Sequence, residues 1–304
     1  MSRQAKHHGR GGKDKIPTTK LSPYGCSFPE MAYFQLSPFL LRLQCHTYNC
    51  DNELARGGIL SGGPFQQDDA FSRRFGRFAR SKADEAVLTD FRGARHVVGK
   101  RKELIQDGEA TLVAYILHEG WMCTYKRLPD GGRQIIDIRL PGDFIGVTSL
   151  FSAISDRDIE TLTDCVVSEV DKAQLLSGMR ASPMLGEAVM WNIARDDAIA
   201  AQHLANLGRR SALGRIVYFL LELGARLHDA GKGTSTSYDC PLSQQLLADT
   251  LGLTSIHLNR VLRSLREREW LTLNGGVVEF LNPSVLRQLV GFDPSYLTHV
   301  SEEF

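Results

Sequence analysis

Arg260 and Arg263 stand three residues apart in a segment rich in hydrogen-bonding side chains. Residues at this spacing occupy neighbouring positions on one face of a helix, so both cations would point the same way. An arginine can donate two parallel hydrogen bonds to the major-groove edge of a guanine, and Asn259 could reach a base or a phosphate. The chemistry that this pattern favours is recognition of duplex DNA rather than the making of a covalent bond.

The candidate contact residues extend toward the start of the same predicted helix. Thr254 or Ser255 can cap its first turn, since a hydroxyl there accepts from a free backbone N–H. For His257, a contact with DNA and a purely solvent-facing position both remain open. The full candidate set is Thr254, Ser255, Ile256, His257, Asn259, Arg260 and Arg263.

The elements that must position these side chains form a helix-turn-helix. Ala248 is a small residue where two helices must approach closely, and Gly252 stands four residues later, where the turn needs a left-handed backbone. The apolar positions that would share the core are Leu247, Leu251, Leu253, Leu258 and Val261. Such a motif usually places its second helix in the major groove, although helix-turn-helix shapes also occur as corners that bind proteins.

A β-hairpin is predicted directly after the second helix. Two β-prone runs, Leu271–Asn274 and Val277–Phe280, flank the pair Gly275-Gly276, which is a strong hairpin signal. Arg266 and Arg268 add positive charge between helix and hairpin. A hairpin in this place is the wing of a winged helix, and it favours the DNA-binding interpretation.

The composition sets limits on the class of protein. The 304 residues are 42% apolar and 23% charged with a net charge of +1, which suits about two domains and requires any DNA-binding charge to be local. No segment approaches the roughly 20 apolar residues of a membrane helix, and no signal-type apolar core follows the basic start. We expect a cytoplasmic protein with no membrane partner. No enzyme motif of the nucleophile-elbow, phosphate-loop, dinucleotide or zinc type is present.

Ahead of the helix-turn-helix, the sequence predicts a β-rich region and two helices. Residues 1–68 are basic, Gly-rich and aperiodic, which predicts a disordered extension. A helical run from Phe71 to Phe91 follows, and then short strands at 103–105, 112–117, 122–125, 134–138, 144–146 and 165–170, separated by turn signals. Ser182-Pro183 opens a long helix, with Ser as the expected N-cap. A second amphipathic helix spans 211–227, and a Gly/Ser/Thr-rich loop spans 231–237.

The long helix carries a seam typical of helix pairing. Its predicted dimerisation residues are Val189, Ile193, Ala200, Leu204 and Leu207, and Asp196 with Asp197 interrupts them. Packing of the helix on its own β-rich region is the alternative.

The order of these elements resembles the Crp/Fnr family of bacterial transcription regulators over about residues 71–292. The resemblance rests on residues 104–109 (LIQDGE), Gly120, the run Pro141-Gly142-Asp143-Phe144-Ile145-Gly146 and the helix-turn-helix. It implies an α+β fold: an N-terminal β-roll of the cyclic-nucleotide-binding jelly-roll type (69–181), a long central dimerisation helix (182–208) and a C-terminal winged helix-turn-helix (209–292), with a tail at 293–304. It also implies a homodimer on a two-fold-symmetric operator and a contact with RNA polymerase.

Two departures from the family pattern affect the function. The position of Ile256 often carries a Glu that reads a cytosine. Because Ile256 cannot accept a hydrogen bond, it would touch a thymine methyl or be buried, and we expect an unusual operator. Members that bind a cyclic nucleotide carry a Glu that holds the ribose, and this chain has Val147 at that position. They also carry an Arg that binds the phosphate, and the matching Arg157 stands between Asp156 and Asp158 in this chain. These changes predict that a cyclic nucleotide does not bind.

No cofactor is predicted. The six cysteines, Cys26, Cys45, Cys50, Cys123, Cys165 and Cys240, lack the spacing of the iron–sulfur members, and His118 alone does not support haem. Three signals stay open: an unidentified small molecule in the roll, no signal at all, or oxidation of a cysteine. The sequence therefore predicts a homodimeric, sequence-specific regulator of transcription. The alternative is a ligand- or redox-sensing protein whose helix-turn-helix contacts another protein.

Overall fold

The computed structural model describes residues 69–152 and 154–298. These residues all belong to one compact unit, Leu54–Phe304. The extension predicted at 1–68 lies outside the described residues, as do Cys26, Cys45 and Cys50. Among the described residues, no helix is both long and apolar enough to cross a membrane.

Eight antiparallel strands build the β-roll, in agreement with the predicted fold class. They pair as two four-stranded sheets in the orders β1-β8-β3-β6 and β2-β7-β4-β5. The strands are β1 (Arg95–Val98), β2 (Glu103–Ile105), β3 (Val113–Glu119), β4 (Met122–Arg127), β5 (Arg133–Arg139), β6 (Phe144–Ile145), β7 (Asp158–Thr161) and β8 (Cys165–Asp171). Both faces of β3 are buried: Leu117 packs with Met122 of β4 and Ile145 of β6, and Ile116, on the opposite face, packs with residues of the surrounding helices. The sequence pattern missed β1 and β7, which are each only four residues long, and in β7 only Ile159 is apolar.

Three helices pack against the roll. They are α1 (Ala70–Phe75), α2 (Lys82–Arg92) and α3 (Lys172–Ala181). The single helical run predicted from Phe71 to Phe91 is wrong, because the chain leaves α1 through a 3-10 turn and restarts where Ser81 caps α2. Phe75 and Phe91 each meet the ring of Phe144 edge to face, so these helices close one end of the roll's core.

The long helix α4 (Pro183–Arg209) and the next helix α5 (Ala212–Asp229) connect the roll to the C-terminal region. Ser182 stands at the N-cap of α4, but the predicted capping hydrogen bond is absent. Its hydroxyl instead donates to Asp84 at 3.2 Å. The start of α4 is therefore tied to α2, and its fixed Pro183 supplies the helical φ.

One residue of the predicted dimer seam, Val189, faces the roll. Val189 is only 2% exposed and packs in the core that the roll shares with α4. Its neighbour Met190, turned by about 100° around the helix, is 60% exposed. Val189 is therefore unavailable to a partner, because its own roll covers that side of α4.

The C-terminal region is a helix-turn-helix with a three-stranded sheet. Its elements are β9 (Ser237–Asp239), α6 (Gln244–Leu251), α7 (Ser255–Glu267), β10 (Leu271–Asn274), β11 (Val277–Phe280) and α8 (Pro283–Val290). The sheet order is β10-β11-β9, all antiparallel. After α8 the chain packs back on the long helices: Leu297 is buried and the hydroxyl of Tyr296 donates to Glu222 of α5 at 2.8 Å.

Candidate nucleic-acid interface

The turn between α6 and α7 has the geometry that its sequence predicts. Gly252 adopts φ 60° and ψ 41°, a left-handed conformation that costs a glycine little. The backbone N–H of Leu253 then reaches the carbonyl of Ala248 at 2.9 Å. A guanidinium N–H of Arg215 on α5 donates to the last carbonyl of α6, that of Leu251, at 3.2 Å. These two hydrogen bonds satisfy backbone carbonyls at the C-terminal end of α6 and so fix the angle between α6 and α7.

The first turn of α7 is capped by Thr254. Its hydroxyl accepts from the backbone N–H of His257 at 3.2 Å. The hydroxyl of Ser255 donates to the amide oxygen of Gln245 on α6 at 2.8 Å. Of the two predicted caps, Thr254 fills the role, and Ser255 braces the two helices instead.

One face of α7 is buried and the opposite face is free. Leu258 and Leu265 are buried against the core of the C-terminal region. The exposed face carries Ile256, Asn259, Arg260 and Arg263, which stand at i, i+3, i+4 and i+7 and therefore form one stripe. Ile256 is 75% exposed, so of its two predicted roles the buried one is wrong. His257 is exposed beside this stripe.

The two arginines of the stripe differ in their surroundings. Arg263 donates to Glu267 one turn later at 2.8 Å, an exposed pair that water screens strongly. Among the described residues, Arg260 has no ion-pair partner. Such a cation is available to a phosphate or a base edge without first breaking a contact. Sequence inspection missed Glu267, although its i,i+4 spacing from Arg263 gave the signal.

The wing follows as predicted. Leu271–Asn274 and Val277–Phe280 pair antiparallel, and Gly275 and Gly276 both have positive φ, at 60° and 78°. Two positive φ values in succession are what a two-residue hairpin of the favoured twist requires. The guanidinium of Arg268 lies 5.0 Å from the ring centre of Trp270 at the base of the wing.

Asp143, in the run Pro141 to Gly146, joins the roll to both long helices. Its carboxylate accepts from Arg74 of α1, from Arg195 of α4 at 3.3 Å and from Arg226 of α5 at 3.1 Å. Burial alone would raise the pKa of Asp143, but the three guanidinium groups outweigh it and hold this pKa well below its ordinary value. Gly142 is required here, because a Cβ would stand 2.8 Å from a backbone oxygen of Ala70.

A second buried cluster lies beside it on α4 and α5. One ring nitrogen of His203 faces the carbonyl oxygen of Ile136 at 3.0 Å and the other faces the carboxylate of Glu222 at 2.8 Å. Since both partners only accept, the ring must carry both protons. Burial disfavours this charge, but Glu222 outweighs it and raises the pKa of His203 to about 9.

The side chains of this cluster are of types that bind metal ions, but their protonation and their neighbours disfavour a metal ion here. Ligand atoms of Asp137, His203 and Glu222 lie within 4.8 Å of one another. Arg226 already occupies their centre, 2.9 Å from Asp137 and 3.5 Å from Glu222. A protonated imidazole cannot ligate, and a guanidinium repels a cation. The residues form an ion-pair cluster that holds α5 against the roll and α4.

The three described cysteines are buried thiols. Burial raises the pKa of Cys123 to about 12 and that of Cys240 to about 11, and it raises the pKa of Cys165 as well. Because the thiolate is the reactive form, these groups are unreactive near neutral pH. His118, which alone does not support haem, is buried and its ring faces the hydroxyl of Ser168 at 2.9 Å.

The residues that match the cyclic-nucleotide pattern do meet around one cavity. Val147 and Arg157 both line a cavity of about 210 Å³ between the roll and α4. The guanidinium of Arg157 donates twice to the carboxylate of Asp156, each time at 2.7 Å. The cation that would hold a phosphate is therefore already paired with a carboxylate, and Val147 offers no acceptor to a ribose.

A sensor-type roll, a long helix and a winged helix-turn-helix together define a DNA-binding transcription regulator. Two family descriptions match the chain: a cyclic nucleotide-binding domain over residues 95–182 and a Crp-like helix-turn-helix domain over residues 214–289. The nitrogen fixation regulation protein FixK of Bradyrhizobium diazoefficiens is 31% identical over 211 residues, which cover 69% of this chain and 88% of that protein. The chain belongs to the Crp/Fnr family of transcription regulators.

Two further proteins illustrate this relationship. The transcriptional activatory protein AadR of Rhodopseudomonas palustris is 30% identical over 193 residues, covering 62% of this chain and 79% of that protein. The solved structure of FixK2 from Bradyrhizobium japonicum superimposes with a TM-score of 0.58 at 26% identity, covering 64% of this chain and 96% of that one. By their names, FixK is a regulation protein and AadR an activator of transcription.

Proposed function

We propose that this regulator binds a two-fold-symmetric operator as a homodimer, with α7 of each protomer in a major groove. The observation that carries the proposal is the exposed stripe of Ile256, Asn259, Arg260 and Arg263 on a helix whose other face is buried. The groove admits one α-helix, and a stripe of this kind presents its side chains to base edges. Thr254, Ser255 and His257 complete the proposed surface at the N-terminal end of α7, where backbone N–H groups favour a phosphate.

The exposed side of α4 supports the homodimer. Met190, Ile193, Asp197, Ala200, Leu204 and Leu207 follow one another at spacings of 3, 4, 3, 4 and 3 residues, which is the a/d repeat of paired helices. Leu204 is 75% exposed and Met190 is 60% exposed, and large apolar side chains exposed along one line of a helix are typical of an interaction surface. We propose these six residues as the dimer seam. Met190 replaces Val189 of the predicted set, because Val189 is buried.

Two parts of the proposal rest on family membership. Once bound to DNA, the dimer would contact RNA polymerase. It would act in the cytoplasm, where a bacterial chromosome lies. The alternative of a redox sensor finds no support in Cys123, Cys165 or Cys240, whose thiols are buried with raised pKa values.

Selection from random duplex DNA tests the proposal. The purified full chain should enrich two half-sites related by a two-fold axis, about one helical turn apart. We expect a thymine where Ile256 meets the groove, because its side chain can touch only the methyl group. The variant Ile256→Glu should shift that position toward cytosine, whose amino group a carboxylate accepts.

The matched control is Asp130→Asn, an exposed carboxylate of the roll, which should leave the selected site unchanged. Enrichment of single, unpaired half-sites would contradict the dimer. Absence of any enrichment by either protein, with and without added small molecules, would favour a helix-turn-helix that contacts another protein.

A further inference from the structure

The cavity between the roll and α4 has polar walls on both sides. Thr124 contributes from β4, and Asn192, Asp196 and Asp197 contribute from two successive turns of α4. Its volume of about 210 Å³ is below the roughly 300–1,000 Å³ of sites for drug-sized molecules. The cavity therefore suits a ligand of only a few heavy atoms or one end of a longer one.

Several acceptor atoms at this cavity are unused. The amide N–H of Asn192 donates to the carbonyl of Phe144 at 3.2 Å, which leaves its Oδ1 as the free atom. Among the described residues this Oδ1, the hydroxyl of Thr124 and Oδ1 of Asp196 have no hydrogen-bond partner. Asn192 and Thr124 are each only 1% exposed. Buried acceptors without a donor are unfavourable, so these three atoms favour a ligand that donates hydrogen bonds. Nε of Arg139 is also without a hydrogen-bond partner among the described residues, but it lies 3.4 Å from the carboxylate of Asp137.

Once the ion pairs of the lining arginines are counted, the net charge at the cavity is negative. Arg157 is held by Asp156. Arg139 donates to Asp196 at 2.6 Å and also lies 3.4 Å from Asp137. Asp197 is exposed and has no ion-pair partner among the described residues. An anion would therefore meet an unpaired carboxylate, whereas a cation would pair with it.

We propose that this cavity binds a small organic cation with several N–H donors, a guanidinium or an alkylammonium group, in place of a cyclic nucleotide. Asn192 and Asp196 accept from its N–H groups, and Asp197 pairs with its charge. The roll thus keeps the position of the nucleotide pocket of its family while the ligand changes from an anion to a cation.

The site also lies against the proposed dimer seam, so this second part rests on the proposed function. Asp197 occupies the middle a position between Met190 and Leu204. In a homodimer, the two copies of Asp197 face each other, and like charges in such a seam oppose pairing. A cation bound beside each carboxylate offsets this repulsion. Ligand binding therefore strengthens the dimer.

Titration calorimetry on the full chain without DNA tests the site. Agmatine, which carries one guanidinium and one ammonium group, is the probe, and cyclic AMP and inorganic phosphate are the anionic comparisons. We expect agmatine to bind once per chain and the anions to give no heat. Asp197→Asn should weaken agmatine binding by about tenfold or more, and Asp130→Asn, an exposed carboxylate in the β4–β5 turn, should not.

The proposal would be overturned if agmatine did not bind at millimolar concentration, if Asp197→Asn left its binding unchanged, or if cyclic AMP bound more tightly.

Sedimentation velocity tests the second part, the link between ligand binding and the dimer. Agmatine should raise the dimer fraction of the natural protein, and Asp197→Asn should be more dimeric without it. Binding with no change in dimer fraction would keep the site and overturn its link to the dimer. Because neither measurement contains DNA, their outcome is separate from that of the operator selection.

Discussion

The molecule uses arginine in two opposite ways. Around Asp143, Arg74, Arg195 and Arg226 are fully buried and each is bonded to the same carboxylate. On α7, Arg260 and Arg263 are exposed, and among the described residues only Arg263 of these two has an ion-pair partner, a screened one. The three buried arginines hold elements of the same chain together, whereas the two on α7 belong to the surface proposed to contact DNA. Burial and pairing distinguish the two roles, and residue type does not.

The largest expected effect follows from removing the shared carboxylate. Asp143→Asn leaves three buried guanidinium groups without their common counter-charge, and such uncompensated burial costs about 3–5 kcal/mol of the free energy of unfolding. Urea unfolding at neutral pH measures it. Asp239→Asn, an exposed carboxylate on β9, is the matched control and should change stability by less than about 0.5 kcal/mol. Equal stability of the two variants would show that the buried arginines do not depend on Asp143.

A smaller effect follows from the protonated ring of His203. Its folded pKa of about 9 is raised above the ordinary 6.5, so its stabilising effect is complete below pH 6.5 and is lost as pH rises through 9. The difference corresponds to about 3 kcal/mol. His203→Gln should therefore remove the fall in unfolding free energy across this pH range. The exposed His228→Gln should retain it, and a fall that survives in His203→Gln would assign the titration to another group.

The smallest of these effects concerns the start of α7. Thr254→Ala removes the oxygen that accepts from the backbone N–H of His257, and loss of such a cap costs about 1 kcal/mol. Thr254→Ser keeps the oxygen and should stay near the natural stability in the same urea experiment. A loss as large in the serine variant would mean that the methyl group, and not the cap, matters at this position.

The contrast between exposed and buried arginines also shows what the sequence can predict. The wing strands were predicted to the residue, because the signal, two β-prone runs around Gly275-Gly276, is local. The helix-turn-helix could be predicted equally well, because its signal, Ala248 and Gly252 four residues apart, is also local. The partners of Asp143 were not, because Arg74 and Arg226 lie 69 and 83 residues away in the chain. No local pattern states that three distant arginines will converge on one carboxylate.

The seam on α4 shows an intermediate case. The periodicity is visible in the sequence and the seam stays a prediction, but the structure buries Val189, the first residue assigned to it. Val189 and Met190 are both apolar, and only the position of the roll decides that Val189 packs inward and Met190 stays exposed. The substitutions at Val147 and around Arg157 are visible in the sequence, and the failure to bind a cyclic nucleotide stays a prediction. The free acceptors of Thr124 and Asn192 needed the three-dimensional structure.

The salt dependence of operator binding by Arg260→Ala shows whether the exposed face of α7 reads DNA. The variant should lose about 1–3 kcal/mol in binding free energy. It should also show either a relaxed preference at one base pair or a salt slope lower by about one unit, according to whether Arg260 meets a base or a phosphate. The urea unfolding curve should stay unchanged, because Arg260 is exposed and contributes to no buried network. Unchanged affinity with an unchanged salt slope would contradict the claim that this face of α7 reads DNA.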